Sequence, residues 1–477
     1  MENRFQYCKW FQKVMAVFID GFFVAAPLVS LFLFASFIPG SFKYAAYLLI
    51  ITAYLLIIHF CKDRIALVIE KIFEKIEKLD EKTMLVIITL TAVAIKVIFT
   101  IFFNYDGTQS GDIKIYNDIA ETILQTGNLH TRAISHLYGL ALHFVVFRLI
   151  HLPLHIGLFL AIYTGIVFNF LSFKKIIGKT KAFFAVMVYL LMPSTAFFTF
   201  SPTHEVFVFL YISVFLYFFN RFLDEKDIKK TVLDLLFMVV STVLTCFVNP
   251  GGYIIYIIMI LAILISNLKI SKKALIALAL VLSILSSNGI SRFLEIDEYV
   301  TTMNTYTILI HGVNPNVLGE QEDGYPLKQM RMYIHENTLD FSHEGFIDAA
   351  KHVLIEHYIY LLKHPVTLIR LIVHTIYILW SGVHYPIELA HFYDAVDGLV
   401  YYGFLGISAL IYLFMITIGL VYYRKKEDLM LISNYKLELL GVIALTMFCI
   451  VVNKYSVYVT LFIYMISLYR AELHHES

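Results

Sequence analysis

Charged side chains are scarce in this chain. Asp, Glu, Lys and Arg make up 15% of its 477 residues, against about 25% in a soluble domain. So thin a polar surface argues against a soluble enzyme of this length, a disordered protein and a nucleic-acid binder. Cysteine is rare too: Cys8, Cys61, Cys246 and Cys449 lie in or beside apolar runs with no paired spacing, which speaks against a disulfide framework or a cysteine-based metal site. No phosphate-binding glycine loop or dinucleotide fingerprint occurs, so the chain carries no ATP-driven motor. The net charge of +1 selects no partner until it is divided between the two sides of a membrane.

Hydrophobic residues, by contrast, reach 59%. A bilayer-spanning helix takes about 20 of them in a row. Twelve stretches qualify: 14–36, 44–61, 84–103, 155–172, 182–199, 203–222, 231–248, 252–267, 272–290, 398–422, 435–452 and 455–470. Two more, 134–151 and 366–383, are interrupted by His136, His143 and Arg148 and by Arg370 and His374. If those two lie in the outer interface, 25 of the 37 basic residues fall on one side, as cytoplasmic segments should. The expectation is an all-α polytopic membrane protein of about twelve transmembrane helices, up to fourteen if the two interfacial helices cross. It is multi-pass in a plasma membrane, with both termini cytoplasmic.

Four regions follow. Residues 1–83 form an N-terminal hairpin with a cytoplasmic amphipathic linker over 62–83, where apolar positions recur at helical spacing between charges. Residues 84–290 form the transmembrane core, with a first outer loop at 104–154. Residues 291–397 form a long extracytoplasmic loop region with interfacial helices, and 398–477 the C-terminal transmembrane helices. The 291–397 segment holds 14 acidic and 6 basic residues, which disfavours broad docking of a polyanion. Fifteen of the 18 histidines lie between 130 and 391, so the unusual chemistry gathers on the outer side.

In the first outer loop, Gly107 and Gly111 break the third span. Asp112 then opens a new helix with Tyr116, Ile119, Ala120 and Ile123 on one face. Asp is a preferred N-cap, which is one reason for it to be there. In the second loop, Pro202, Thr203, His204 and Glu205 start a helix at the rim of the bilayer. Thr203 can cap it, and Glu205 complements its dipole. Ionisable groups at membrane depth otherwise mark function. Lys96 stands inside a span, in VAIKVIF, with no partner the sequence can name.

The placing of Asp112, Tyr116 and Ala120 at four-residue intervals after an outward span, with Gly127 behind them, resembles the first outer loop of the GT-C superfamily. These are integral-membrane glycosyltransferases that use polyprenyl-phosphate sugars, among them protein O-mannosyltransferases and aminoarabinose transferases. The acid at 205, and HGVNPNVLGEQEDGYP at 311–326 followed by HPVTLIRLIVHTIYILW, are similar to later parts of that family. The resemblance implies Asp112 as catalytic base. It implies Tyr116, His204, Glu205, Asn314 and Arg370 as substrate-binding residues, with Asn314, Gly319 and Arg370 near the donor phosphate and Trp380 at the lipid interface. Glu205 and His204 would also hold a divalent cation, Mg or Mn. Partners would be a polyprenyl-phosphate-linked sugar donor, a glycan or lipid acceptor and membrane lipids, with no nucleic acid. Ile113 and Lys114 follow Asp112 in place of the paired acid of protein O-mannosyltransferases, which argues against a protein acceptor. A glycan polymerase or ligase of the O-antigen type and a secondary transporter or flippase remain as alternatives.

Overall fold

In a computed structural model, the described residues are 21–31, 35, 40–102, 111–129, 135–200, 203–224, 227–249, 252–265, 268–294, 355–356, 358–370, 398–421, 461, 464 and 467–468. Every regular element among them is an α-helix. Eleven are named here: α1 (Phe42–Glu77), α2 (Glu81–Phe102), α3 (Gly111–Thr126), α4 (Ser135–Leu149), α5 (Leu154–Leu190), α6 (Pro193–Phe197), α7 (His204–Asp224), α8 (Ile228–Val248), α9 (Gly252–Ile265), α10 (Ile270–Phe293) and α11 (Gly398–Val421). A short apolar helix, Gly21–Leu31, precedes them. Among the described residues, six helices are long and apolar enough to cross a membrane: α1, α2, α5, α7, α8 and α10. The chain is a helical membrane protein. Its outward faces are greasy, with Leu48, Leu90 and Leu278 each more than half exposed, as a lipid-facing surface requires.

The described helices follow the hydropathy pattern closely in places and depart from it in others. Between residues 42 and 77 there is neither Gly nor Pro, so the span at 44–61 and the amphipathic stretch beyond it run on as a single helix of 36 residues. At 1.5 Å per residue that is about 54 Å, well beyond one bilayer core. The far part docks sideways: Ile69 is buried and Phe73 meets Phe184 edge to face, ring centres 5.5 Å apart.

α5 is two helical arms meeting at Gly178, which sits at φ 79° and ψ 157°. A positive φ is cheap only for glycine. The second arm returns alongside the first, so Leu190 and Thr195 line the same small cavity as Ile162 and Ile166. The basic stretch at 173–181 thus forms a turn. There Lys179 Nζ donates to Leu79 O at 2.9 Å and Lys174 pairs with Glu81. Lys272 Nζ, on α10, donates to Leu223 O at 3.0 Å at the end of α7.

The remaining expected spans lie partly or wholly outside the described residues: 14–36 is described only at 21–31 and 35, 435–452 not at all, and 455–470 only at four positions. α4, the ambiguous stretch at 134–151, has 15 residues, about 22 Å against a core of about 30 Å. It lies across helix ends. Phe147 packs where a Cβ on Gly157 would stand, and Gly139 meets the last residues of α8.

Helix association in lipid has little hydrophobic drive and relies on close packing and polar links. Gly157, Ala161, Gly165 and Asn169 recur every four residues along α5, and all are buried. A Cβ at Gly165 would stand 2.7 Å from the Phe209 ring. Asn169 Nδ2 donates to Ser213 Oγ at 2.6 Å, and Asn220 Nδ2 to Ser172 Oγ at 2.6 Å, tying α5 to α7 at two levels.

Gly139 gives the sharpest packing prediction. A Cβ there would stand 2.5 Å from Phe247 O and 2.9 Å from Val248 Cα. Both are backbone atoms that cannot rotate away. Gly139→Ala is expected to cost about 1–3 kcal/mol through overpacking, read as a lowered melting temperature in detergent. An unchanged melting temperature would show that α4 does not sit against α8.

Candidate functional site

The expected span at 182–199 does not continue as one helix. Pro193 has no N–H to give, and the residue before proline avoids helical geometry. α5 accordingly stops at Leu190, Met192 is extended, and a new helix of 5 residues, α6, begins with Pro193. Turns at Thr199 and Phe200 follow before α7 starts at His204. Residues 192–200 are nonetheless all buried.

Irregular backbone is tolerated at membrane depth only where protein satisfies it, and here two neighbouring side chains, Ser408 and Lys96, meet its backbone groups. Ser194 N donates to Ser408 Oγ at 3.2 Å and Tyr464 Oη to Met192 Sδ at 2.7 Å. Phe197 is flanked by Phe99 and Phe404, with ring centres at 5.4 and 5.7 Å.

The second of these is Lys96. Its Nζ donates to Thr199 O at 2.9 Å and Thr199 Oγ1 at 3.2 Å, and lies 3.2 Å from the centre of the Phe200 ring. Only 6% of the residue is exposed. The sequence marks Lys96 as an oddity inside a span. It gives no sign of the partner, which lies 103 positions away in what reads as another uninterrupted apolar run. Pro193 is the one signal that could have revealed the break.

Four residues beyond the last of these turns, His204 Nε2 and Glu205 Oε1 are 2.8 Å apart, with Glu205 fully buried and His204 7% exposed. The imidazole and the carboxylate are thus within ion-pair distance of one another in a buried setting.

α3 carries Asp112 in its first turn and is fixed over the same end of the bundle through α4. Tyr116, 3% exposed, meets Phe144 edge to face at 6.1 Å. Arg148 Nη2 donates to Asn117 Oδ1 at 3.0 Å, and Arg148 Nη1 lies 3.7 Å from Glu121 Oε1. On its other side α4 reaches α7: the His143 ring is 4.2 Å from Phe207, one turn after His204, and its Nε2 bonds Tyr211 Oη. Tyr116 therefore serves as the packing link between α3 and α4.

The Asp112 side chain, Asn314, Gly319 and Trp380 lie outside the described residues. Arg370 is exposed at the end of a helical run over 365–370, which starts at Pro365 after a break at His364. The structure thus brings His204, Glu205, Lys96 and Thr199 to one end of the bundle and holds the helix of Asp112 over it. Among the described residues, no three His, Cys, Asp or Glu side chains gather as metal ligands, and His204 Nε2 is turned to Glu205.

No family model matches the chain, and neither does any curated protein or solved structure.

Proposed function

We propose that the chain is an integral-membrane glycosyltransferase of the GT-C kind. It transfers a sugar from a polyprenyl-phosphate donor to a cell-surface glycan, lipid or polymer. One observation carries the reading: a buried imidazole–carboxylate pair at a bundle end over which the helix bearing Asp112 is fixed. The opposite end carries the lysine-rich turns at 173–181 and 268–273, which supports a cytoplasmic location for it and an extracytoplasmic site, with the termini inside and the chain in a plasma membrane.

In the proposed reaction Asp112 takes the proton of the acceptor hydroxyl. The oxygen attacks the anomeric carbon from the face opposite the phosphate, the carbon–oxygen bond to phosphate breaks, and the phosphate leaves on its lipid with inverted configuration in the product. Phosphate leaves readily, so the protein's work is deprotonation, positioning and charge stabilisation. Glu205 and His204 orient the acceptor, while Asn314 and Arg370 approach the donor. A divalent ion, Mg or Mn, at Glu205 and His204 would need a further ligand from outside the described residues, and no step is assigned to it.

The test is transfer of labelled sugar in membranes containing the overproduced chain. Polyprenyl-phosphate sugar is expected to serve as donor and a nucleotide sugar to fail, and Glu205→Gln to lower the rate by about tenfold or more, the scale of one charge-assisted hydrogen bond to the acceptor. Equal use of the nucleotide sugar would overturn the reading.

One feature favours a second reading. Transporters bind their cargo on broken helices, and the segment between Leu190 and His204 is one. Movement of a labelled lipid across vesicles without sugar transfer would select a flippase.

A further inference from the structure

Helices in lipid keep their relative places by close packing and a few polar links. A short helix with such links on both sides can therefore set the distance between its neighbours. α4 is one. Toward α3, Arg148 reaches Asn117 and Glu121, and Tyr138 Oη donates to Leu129 O at 2.6 Å just beyond the end of α3. Toward α7, the polar link among the described residues is a single hydrogen bond, between His143 Nε2 and Tyr211 Oη. The rings of His143 and Phe147 pack on Phe207 beside it, with centres at 4.2 and 6.1 Å.

The direction of that bond follows from the other ring nitrogen. His143 Nδ1 lies 2.7 Å from Gly139 O, and a carbonyl only accepts, so Nδ1 carries the proton. Desolvation pushes the pKa of the ring down to about 4. Nε2 is then bare and accepts from the Tyr211 hydroxyl. One imidazole thus joins Gly139, which sits against the end of α8, to a tyrosine about 9 Å along α7 from Glu205.

We infer that His143 and Tyr211 are positioning residues: their hydrogen bond fixes α4 against α7 and, through Arg148 and Tyr116, sets where the helix bearing Asp112 stands relative to Glu205. Neither side chain is assigned a contact with substrate. The placing of α3 is independent of the chemistry, whereas the effect on rate rests on the transferase reading.

Phenylalanine separates this role from a merely stabilising one. His143→Phe keeps a ring on Phe207 but leaves the Tyr211 hydroxyl without its acceptor, and Tyr211→Phe leaves Nε2 without its donor. Each is expected to lower the melting temperature, because a stranded polar group costs more than the bond contributes. With both replaced nothing is stranded, and the melting temperature is expected to return close to wild type. The link stays broken, however. In the double variant kcat is expected to remain down by about tenfold, with KM for the polyprenyl-phosphate sugar within about twofold of wild type. His143→Gln offers an amide oxygen where Nε2 stood and is expected to keep most of kcat.

The full chain is assayed in nanodiscs, and the placing of α3 is read separately by electron spin resonance. Spin labels go on Asp118→Cys in α3 and Asp224→Cys at the far end of α7, both exposed positions, with the four native cysteines replaced by alanine. The double phenylalanine variant is expected to broaden the distance distribution between the labels. A kcat that recovers together with the melting temperature, or a distribution as narrow as that of wild type, overturns the inference. If the wild-type chain transfers no sugar yet the distribution broadens, the transferase reading falls and the fixing of α3 by this bond stands.

Discussion

Asp112→Asn is expected to lower sugar transfer by about a hundred- to ten-thousandfold, the range for losing a general base, with the melting temperature almost unmoved. The two roles open to this aspartate differ enough in size to be separated. In the first turn of α3 its negative charge complements the helix dipole, an effect of about 0.3–1 kcal/mol that touches stability. A catalytic carboxylate contributes to rate and is lost when asparagine keeps the shape but cannot take the proton. The measurement is therefore a pair: initial rate with the polyprenyl-phosphate sugar, and thermal unfolding of the same preparation. A small rate loss matching a small stability loss would leave Asp112 as a helix-end residue and move the base to Glu205.

The second large effect is expected at Arg221 and Asp234, which join α7 to α8 near the lysine-rich end. The Asp234 side chain is fully buried, whereas that of Arg221 is 28% exposed, and the Arg221 guanidinium carbon lies 5.1 Å from the centre of the Phe218 ring. The two deletions should therefore differ. Arg221→Met strands a carboxylate inside the bundle, at a cost of about 3–5 kcal/mol. Asp234→Asn leaves an arginine that already reaches water and can extend further, so its cost is smaller. The double replacement Arg221→Met with Asp234→Leu removes both charges and is expected to recover most of the loss, because a well-packed apolar pair often matches a buried ion pair. Reversible unfolding of the four proteins in mixed micelles, read as a double-mutant cycle, checks this. Equal losses from the two single variants, or a double variant worse than Arg221→Met, would mean that the pair is not buried between the helices.

The sequence was a good guide wherever a local pattern decides the outcome. Apolar runs placed α2, α7, α8 and α10 within a few residues, because in lipid a backbone must satisfy itself along the helix. The stretch at 173–181 was recognisable as a turn between two spans, and Gly178 supplies the positive φ it needs. The run at 182–199 read as continuous because hydropathy sums side chains and is blind to a missing N–H. Pro193 breaks it, and Thr199 O becomes available to Lys96 as a result.

The sequence by itself determined that this is a helical membrane protein, where many of its helices begin and end, and that histidine and carboxylate stand side by side at 204 and 205. Neighbours in the chain are neighbours in space, and a bilayer leaves helices few alternatives. Only the tertiary structure decided which helices touch: Lys96 with Thr199, His143 with Tyr211, Arg221 with Asp234. Each of the first two pairs joins positions more than sixty residues apart. All three depend on packing between helices whose faces are almost equally apolar, so the sequence carries no periodic signal that would tell one partner from another.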